Sequence, residues 1–586
     1  MERGLSESHH KTINLPRIFN DSIYGQIELD PLLMKVIDTP QFQRLRHLKQ
    51  LGGTYLVYPG ATHTRFEHSL GMAYLAGRMI DVLKEKQDDL GIDEKDILCV
   101  KIAALCYNLG HGPFSHLYEH FYREALKQEG YTGDTGGYGK RKQKDQSKTG
   151  KGLYWKEASF LMLKDILKNE ELKEKLLLNN EDLTFIKELI DGVFTSNEKW
   201  PAKGRTQDKA FLYEIVINNW NGIDVHRWDY FARDCHHLGI PNSFDHQRLL
   251  KSARVCELNG RKHICFRDKV ADSVYDMFKT QYALYSQAYQ HKIAKIIEEK
   301  ITEALTAAQD KLTKISPFTD CPSPDDGQKK RASGSQKRKI ASDDERLAKL
   351  SKLTDHIFEE ILYSTDVELE GARKKLEDVV RRRLPKCVGE TRITEAEFNN
   401  KQLLQDEWNE AVDEWNKLHP TVFLEKKDFI VCVLQLDCSY STGKNPFDSV
   451  YFYRKRNPTE VFKIKKYEVS SLMPEAFTEY VGRVYYTESS DEEEKDAKEC
   501  FKWMGVEAAS ACPSLERCGI RQVLSCEVRR GVWQLYEGPG YSEPCHPLEQ
   551  KRYRSPAEWG STESSAPVLS LRHAEEATTV RLSSMN

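Results

Sequence analysis

The chain has little net charge: 87 Lys+Arg against 90 Asp+Glu leave −3 over 586 residues. That balance excludes a uniformly basic, histone-like nucleic-acid binder, yet it leaves local basic pockets open. No stretch approaches the ~18–20 uninterrupted apolar residues that a membrane-spanning helix needs. Met1-Glu2-Arg3-Gly4 leads into a polar segment with His9-His10, with no apolar run of signal-peptide type. The 14 cysteines form no CxxC pair and no regular framework, so they read as reduced thiols of the cytosol or nucleus. Cys235-His236-His237 offers potential metal ligands, but without a second cluster the simpler reading is burial in a core. Internal repeats are absent as well.

What the chain does have is apolar mass. At 39% hydrophobic and 10% aromatic residues it can bury a sizeable core, which excludes wholesale disorder. A charged fraction of 30% and a mean hydropathy of −0.63 suit a soluble protein with polar segments. Length alone suggests about four domains of ~150 residues, although one large helical domain could absorb several.

Ile18, Ile23, Ile27 and Leu29 around Asn20-Asp21 and Gly25 favour a short hairpin. Over 66–84, Met72, Leu75, Met79 and Leu83 recur at spacings of three and four, the mark of one apolar helical face. The run DILCVKIAALCYN (96–108) is apolar nearly all round, as a central helix would be, and stops at Gly110 and Gly112-Pro113. Residues 129–152 read as a flexible insertion. Helices are expected at 156–170, 181–194, 208–219, 225–238, 270–312 and 346–380. A polar insertion at 313–345 carries Lys329-Lys330-Arg331 and Lys337-Arg338-Lys339. These two clusters fit a nuclear-import signal and a solvated charge run equally well. Strands are expected from 428, then a helix near 473–485. The acidic 488–498 run and the tail from about 531–538 to 586 read as disordered. The fold class is therefore mainly α, with a small C-terminal α/β lobe at 426–530. It follows a disordered 1–12, a main helical domain at 13–312 and a helical extension at 346–425.

Histidines, carboxylates and arginines concentrate at helix ends in RFEHSLG (65–71), LCYNLGHGPFSH (105–116) and NGIDVHRWDYFARD (221–234). They could form a polar pocket for a phosphorylated ligand. Satisfied helix-end histidines beside solvated arginines explain the same residues.

TPQFQRLRHLKQLGG (39–53), FEHSLG (66–71), LGHGPFSH (109–116), NGID (221–224), WDYFARDCHHLGI (228–240) and AYQHK (288–292) give a more specific pointer. In order and content they closely resemble the vertebrate sterile-alpha-motif and HD-domain deoxynucleoside triphosphate triphosphohydrolases, from about residue 13 to 530. The resemblance implies an HD-domain helical fold without the sterile-alpha-motif domain. It also implies release of a deoxynucleoside and intact triphosphate from a dNTP, and an antiviral role in dNTP metabolism.

The family binds a divalent metal (Zn, Fe, Mn or Mg) through a His, a His-Asp pair and a later Asp. This chain keeps His68, but the pair reads Tyr107-Asn108 and the last position is His226, so three of the four ligands are altered. Tyr107 is a phenol of pKa near ~10, and neither Asn108 nor His226 offers the negative charge a hard cation prefers. Metal is therefore expected to be weak or absent. His111 and His116 match family active-site histidines, Glu119 stands where the family has Asp, and Glu157 matches a family Glu beside Lys156, which replaces a His.

Gln50, Leu51, Arg65, Arg227, Tyr230, Asp234, Tyr289 and Gln290 align with substrate-contacting positions, Arg227 in place of a Lys. Arg65 would bind phosphate and Asp234 the sugar 3′-hydroxyl, whereas Gln281 replaces a phosphate-binding Arg. Arg17, Ile18, Asp38, Gln43, Arg46 and Arg382 align with an allosteric guanine-nucleotide (GTP) site. Asn20, Val57, Tyr58, Arg248, Arg267, Lys269, His291 and Lys292 align with the neighbouring deoxynucleotide site. The implied partners are GTP and deoxynucleotides, a homo-tetramer or a hetero-oligomer with an active relative, and single-stranded nucleic acid. No membrane partner is expected, and the implied location is the nucleus or cytoplasm. Altered metal ligands beside retained nucleotide positions point to a catalytically dead or impaired regulatory protein; the alternative is an active, GTP/dNTP-regulated triphosphohydrolase.

Overall fold

In the computed structural model the described residues are 16–128, 155–193, 199–309, 343–420, 423–437, 445–470, 477–487 and 491–503, with short strands between 511 and 583. The N-terminal segment 1–12, the insertion 129–152 and both basic clusters lie outside them. The fold is mainly helical with a small C-terminal sheet, as expected. The chain divides into two units, residues 1–382 with 437–477, and residues 383–436 with 478–586.

The first unit opens with the expected hairpin, β1 (Arg17–Asp21) pairing antiparallel with β2 (Gly25–Leu29). Helix α1 (Arg65–Lys86) begins in a capping box: the Thr64 hydroxyl accepts from Phe66 N, and Glu67 Oε1 accepts from Thr64 N at 2.6 Å. Met72, Leu75, Met79 and Leu83 all face the core, at 0–3% exposure. Each such burial is worth roughly 1.5–3 kcal/mol. Helix α2 (Glu94–Cys106) lies against α1, and its last two turns are buried on nearly every side. The chain turns at 107–115 into α3 (His116–Gln128). Phe114 and Ser115 both sit at φ 57, a left-handed conformation unusual for side chains of this kind.

Beyond α4 (Trp155–Ile166), helix α5 (Val225–Leu238) starts on the Asp224 carboxylate, which accepts from Arg227 N at 2.9 Å, and stops at Gly239 with φ 68. Helix α1 passes α5 at Gly71, where a Cβ would meet Asp229 Oδ1 at 1.8 Å. Strands β3 (Arg254–Leu258) and β4 (Arg261–Arg267) form a hairpin, and β4 pairs parallel with Phe452–Arg454. The helix expected over 270–312 is split by a π-helical turn, Tyr285–Tyr289, into α6 (Ala271–Leu284) and α7 (Lys292–Ala307).

In the second unit the strand Thr478–Tyr486 lies between Lys386–Ile393 and Phe429–Asp437. Trp408 and Trp415 of the helix Lys401–Leu418 join Phe429, Tyr486 and Phe501 in its core. Four sequence expectations are corrected. The helix expected near 473–485 is the strand Thr478–Tyr486, and the extension 346–425 contains the strand Lys386–Ile393. The acidic run expected to be disordered forms the helix Asp491–Trp503. The tail is not featureless: Trp533–Tyr536 pairs antiparallel with Cys545–Leu548 and Ser570–His573, and Ser525–Val528 pairs with Val580–Ser583.

Candidate functional site

His68, on the second turn of α1, is fully buried, and its Nδ1–H donates to Asp229 Oδ2 at 2.6 Å. Asp229 also accepts from Arg233 Nη2 and Tyr24 OH, each at 2.9 Å, while Arg233 Nη1 reaches Asp21 at 2.9 Å. Burial alone would raise the Asp229 carboxyl, but Arg233 and His68 hold it well below the usual carboxylate range. This leaves His68 Nε2 as a lone pair, buried with no hydrogen-bond partner among the described residues. A carboxylate fixing the far nitrogen is how metal-binding histidines are commonly oriented. One ligand is therefore prepared.

The remaining positions do not fit a hard divalent ion. Asn108 is fully buried; its Oδ1 accepts from Arg65 Nη1 at 3.0 Å and its Nδ2 donates to Ser69 Oγ at 3.2 Å. The His226 ring lies 5.3 Å from His68 and 5.0 Å from Tyr107, whose ring faces the Lys156 ammonium at 5.4 Å. Burial, then His68, Arg65 and Arg227, push the His226 imidazole well below its ordinary pKa. The expected ligand positions are neutral, and cations surround them. None of the four ligand positions themselves, His68, Tyr107, Asn108 and His226, supplies the negative charge that a metal bridging phosphate oxygens requires.

The residues aligned with the family's active-site histidines and Asp sit next to this centre. The His111 ring stacks on Trp155 at 4.1 Å, and its Nδ1 lies 3.1 Å from Glu119 Oε1. His116 Nδ1 lies 3.3 Å from the other oxygen, Glu119 Oε2. Burial would raise Glu119, but His116 and His111 keep it well below the usual carboxylate range. Among the described residues, His111, His116 and Glu119 are the His/Cys/Asp/Glu group whose ligand atoms converge. Glu157 is not brought to them: it stands exposed on α4, while the neighbouring Lys156 ammonium donates to Asp191 O at 3.1 Å.

Most of the polar substrate-aligned side chains are engaged by other residues of the protein. Arg65 is 2% exposed and donates to Ser115 Oγ at 3.0 Å as well as to Asn108, so its fork is committed inward. Asp234 accepts from Tyr289 OH at 2.5 Å and contacts His63 Nε2 at 2.7 Å. Arg227 Nη1 donates to Gln281 Oε1 at 3.0 Å, and Tyr230 meets the His226 ring edge-on, centroids 5.1 Å apart. Gln50 is buried, Leu51 half-buried beside it, and Gln290 closes the π-helical turn. At the N-cap of α5, burial raises the Asp224 carboxyl to about 6.

Most of the regulatory positions are accessible. Arg17 pairs with Asp38 at 3.1 Å with both side chains at least half exposed, Ile18 and Asn20 are exposed on β1, and Arg46 donates to Gln43 Oε1 at 2.8 Å. Tyr58 donates to Gln287 O at 2.6 Å and meets the His291 ring edge-on; the adjacent Val57 is half-buried and Lys292 exposed. Arg382, at φ 58, donates to Leu56 O. Arg248 donates to Lys269 O at 3.1 Å, and Arg267 lies 3.9 Å from Asp268. Sequence reasoning missed His63 and Asp229. The i,i+4 spacing of Asp229 and Arg233 could have flagged the second; nothing marks His63.

The deoxynucleoside triphosphate triphosphohydrolases SAMHD1 of Danio rerio, Gallus gallus and Homo sapiens are 45%, 44% and 42% identical to this chain. The alignments cover 83%, 81% and 81% of it and 73%, 72% and 71% of theirs. A family model described as Beta/Gamma crystallin matches residues 497–574.

Proposed function

The chain belongs to the deoxynucleoside triphosphate triphosphohydrolase family, and from that premise we propose that it is a nucleotide-binding, catalytically dead or severely impaired regulatory member. The carrying observation is Asn108: the amide sits where the family has a carboxylate, and its oxygen is taken by Arg65 at 3.0 Å. With Tyr107 and His226 neutral beside it, the centre lacks the charge to hold a hard cation and activate water. Retention of the exposed Arg17–Asp38 pair and of Arg46 hydrogen-bonded to Gln43 supports GTP binding, and Tyr58, His291 and Lys292 support a deoxynucleotide site. Guanidinium groups are well suited to phosphate. Such a protein would assemble into a tetramer or join an active relative, in the nucleus or cytoplasm, and single-stranded nucleic acid is a further partner on family grounds.

The second reading, an active triphosphohydrolase controlling dNTP pools, draws on His68, whose Nε2 stays prepared as a ligand. The functional reading is tested by titrating chelator-treated protein with GTP and deoxynucleotides in a calorimeter. Saturable binding, weakened by Arg46→Ala for GTP and by Lys292→Ala for deoxynucleotides, is expected. Absence of any nucleotide binding would remove the regulatory reading.

A further inference from the structure

We propose that His111, His116 and Glu119 form a three-ligand site for a borderline divalent cation such as Zn²⁺, distinct from the ligand positions around His68. Their ligand atoms all lie within 4.8 Å of one another. The Glu119 carboxylate stands between the two imidazoles, Oε1 at 3.1 Å from His111 Nδ1 and Oε2 at 3.3 Å from His116 Nδ1. A tetrahedral ion with bonds of ~2.0–2.1 Å holds its ligand atoms about 3.3 Å apart, close to the two imidazole–carboxylate separations, so small side-chain rotations within the 4.8 Å group bring three atoms to one ion.

His111 Nδ1 and Glu119 Oε1 are close enough to bond, yet both are buried with no hydrogen-bond partner among the described residues. Leaving buried polar atoms unsatisfied costs about 1–3 kcal/mol each. An ion bound by both would satisfy the two together.

The backbone is built to hold the group. Phe114 and Ser115 both take the left-handed conformation. Phe114 N donates to Asp355 Oδ1 at 2.6 Å, and the Ser115 hydroxyl donates to Lys49 O at 2.7 Å. Strain held this firmly is typical of a site that needs a fixed geometry. It turns the first helical turn of α3 back onto His111, and the i,i+3 spacing of His116 and Glu119 puts both on one helix face. Stacking on Trp155 fixes the His111 ring.

Two imidazoles and one carboxylate are a donor set for Zn²⁺ or Co²⁺ rather than Mg²⁺ or Ca²⁺. Three protein ligands leave a fourth position open, as in zinc sites that take water or a substrate oxygen. The His116 side chain is 50% exposed, so an ion can reach the group from solvent on that side.

The test is titration of chelator-treated full-length protein with Co²⁺, read by its visible absorption, with Zn²⁺ and Mg²⁺ as competitors. One equivalent of Co²⁺ per chain, displaced by Zn²⁺ and not by Mg²⁺, is expected. Glu119→Gln and His116→Ala should each weaken binding by at least about tenfold, since even outer-shell losses commonly cost that much. His68→Ala should leave it intact. Because His116 is half exposed, circular dichroism of His116→Ala separates ligand loss from misfolding, and His116→Gln repeats the test with less change of volume. No stoichiometric binding, or binding that survives both ligand variants, would overturn the proposal. Binding lost in His68→Ala alone would assign the ion to the other centre. None of these outcomes depends on whether the chain binds nucleotides.

Discussion

Asn108 and its neighbours decide how charge is distributed at the centre. Arg65, which the resemblance assigns to phosphate, is held by Asn108 and Ser115, so an amide now accepts the contact that a carboxylate would strengthen. Combining Tyr107→His, Asn108→Asp and His226→Asp should restore one tightly bound divalent ion beside His68. Elemental analysis after dialysis reads this directly, and a metal-free product would mean that the pocket itself has changed. The second residue-scale prediction concerns Asp229. Its folded-state pKa lies well below its unfolded value of ~3.9, so its contribution to stability is fully present above that value and is lost progressively as pH falls from about 4 towards the folded-state pKa. Asp229→Asn leaves the fully buried Arg233 with Asp21 as its remaining carboxylate partner and should cost about 3 kcal/mol, the low end for a broken buried pair, in urea unfolding at pH 7. The gap to wild type should narrow in acid; a pH-independent gap would refute the ion-pair account.

Among the elements, the close approach of α1 and α5 is what joins His68 to Asp229. Gly71 permits it, because a Cβ there would meet Arg233 Nη2 at 2.7 Å in addition to the Asp229 carboxylate. Gly71→Ala should therefore destabilise by about 2–3 kcal/mol in denaturant titration, and a neutral result would show that the helices can separate without loss. Elements with a clear periodicity were legible: the β1–β2 hairpin, α1 with its Met72-Leu75-Met79-Leu83 face, and α5. Thr478–Tyr486 was not, because a strand between two neighbours is buried along most of its length and shows no alternation. The helix Asp491–Trp503 was masked by its acidic outer face, yet Ala497, Cys500 and Phe501 recur at helical spacing and are buried. The β3–β4 hairpin carried an overt signal in Asn259-Gly260, at φ 52 and 74, which the expected element list does not include.

For the whole molecule, the near-neutral charge of −3 is composed of opposed local fields. Cations surround a centre whose expected carboxylates are absent, and exposed arginines lie near β1. The chemistry of the site was legible only through the motif resemblance, since histidines at helix ends read equally well as structural. Its departures, Tyr107, Asn108 and His226, were visible in the sequence itself. The engagement of Arg65, the exposure of Glu157 and the partnership of His63 with Asp234 needed three-dimensional packing. The match to Beta/Gamma crystallin over 497–574 overlaps the helix Asp491–Trp503 and the antiparallel C-terminal strands, where sequence polarity had suggested none. Adding GTP with a deoxynucleotide should raise the mass measured by light scattering from one chain towards four, and Arg46→Ala should abolish the change. An unchanged mass with wild-type protein would remove the self-assembly reading. The central claim is tested most directly by incubating the protein with GTP, a deoxynucleotide and Mg²⁺ or Mn²⁺, and measuring released deoxynucleoside and triphosphate. The account expects no release above that of His68→Ala; turnover that His68→Ala abolishes would contradict it.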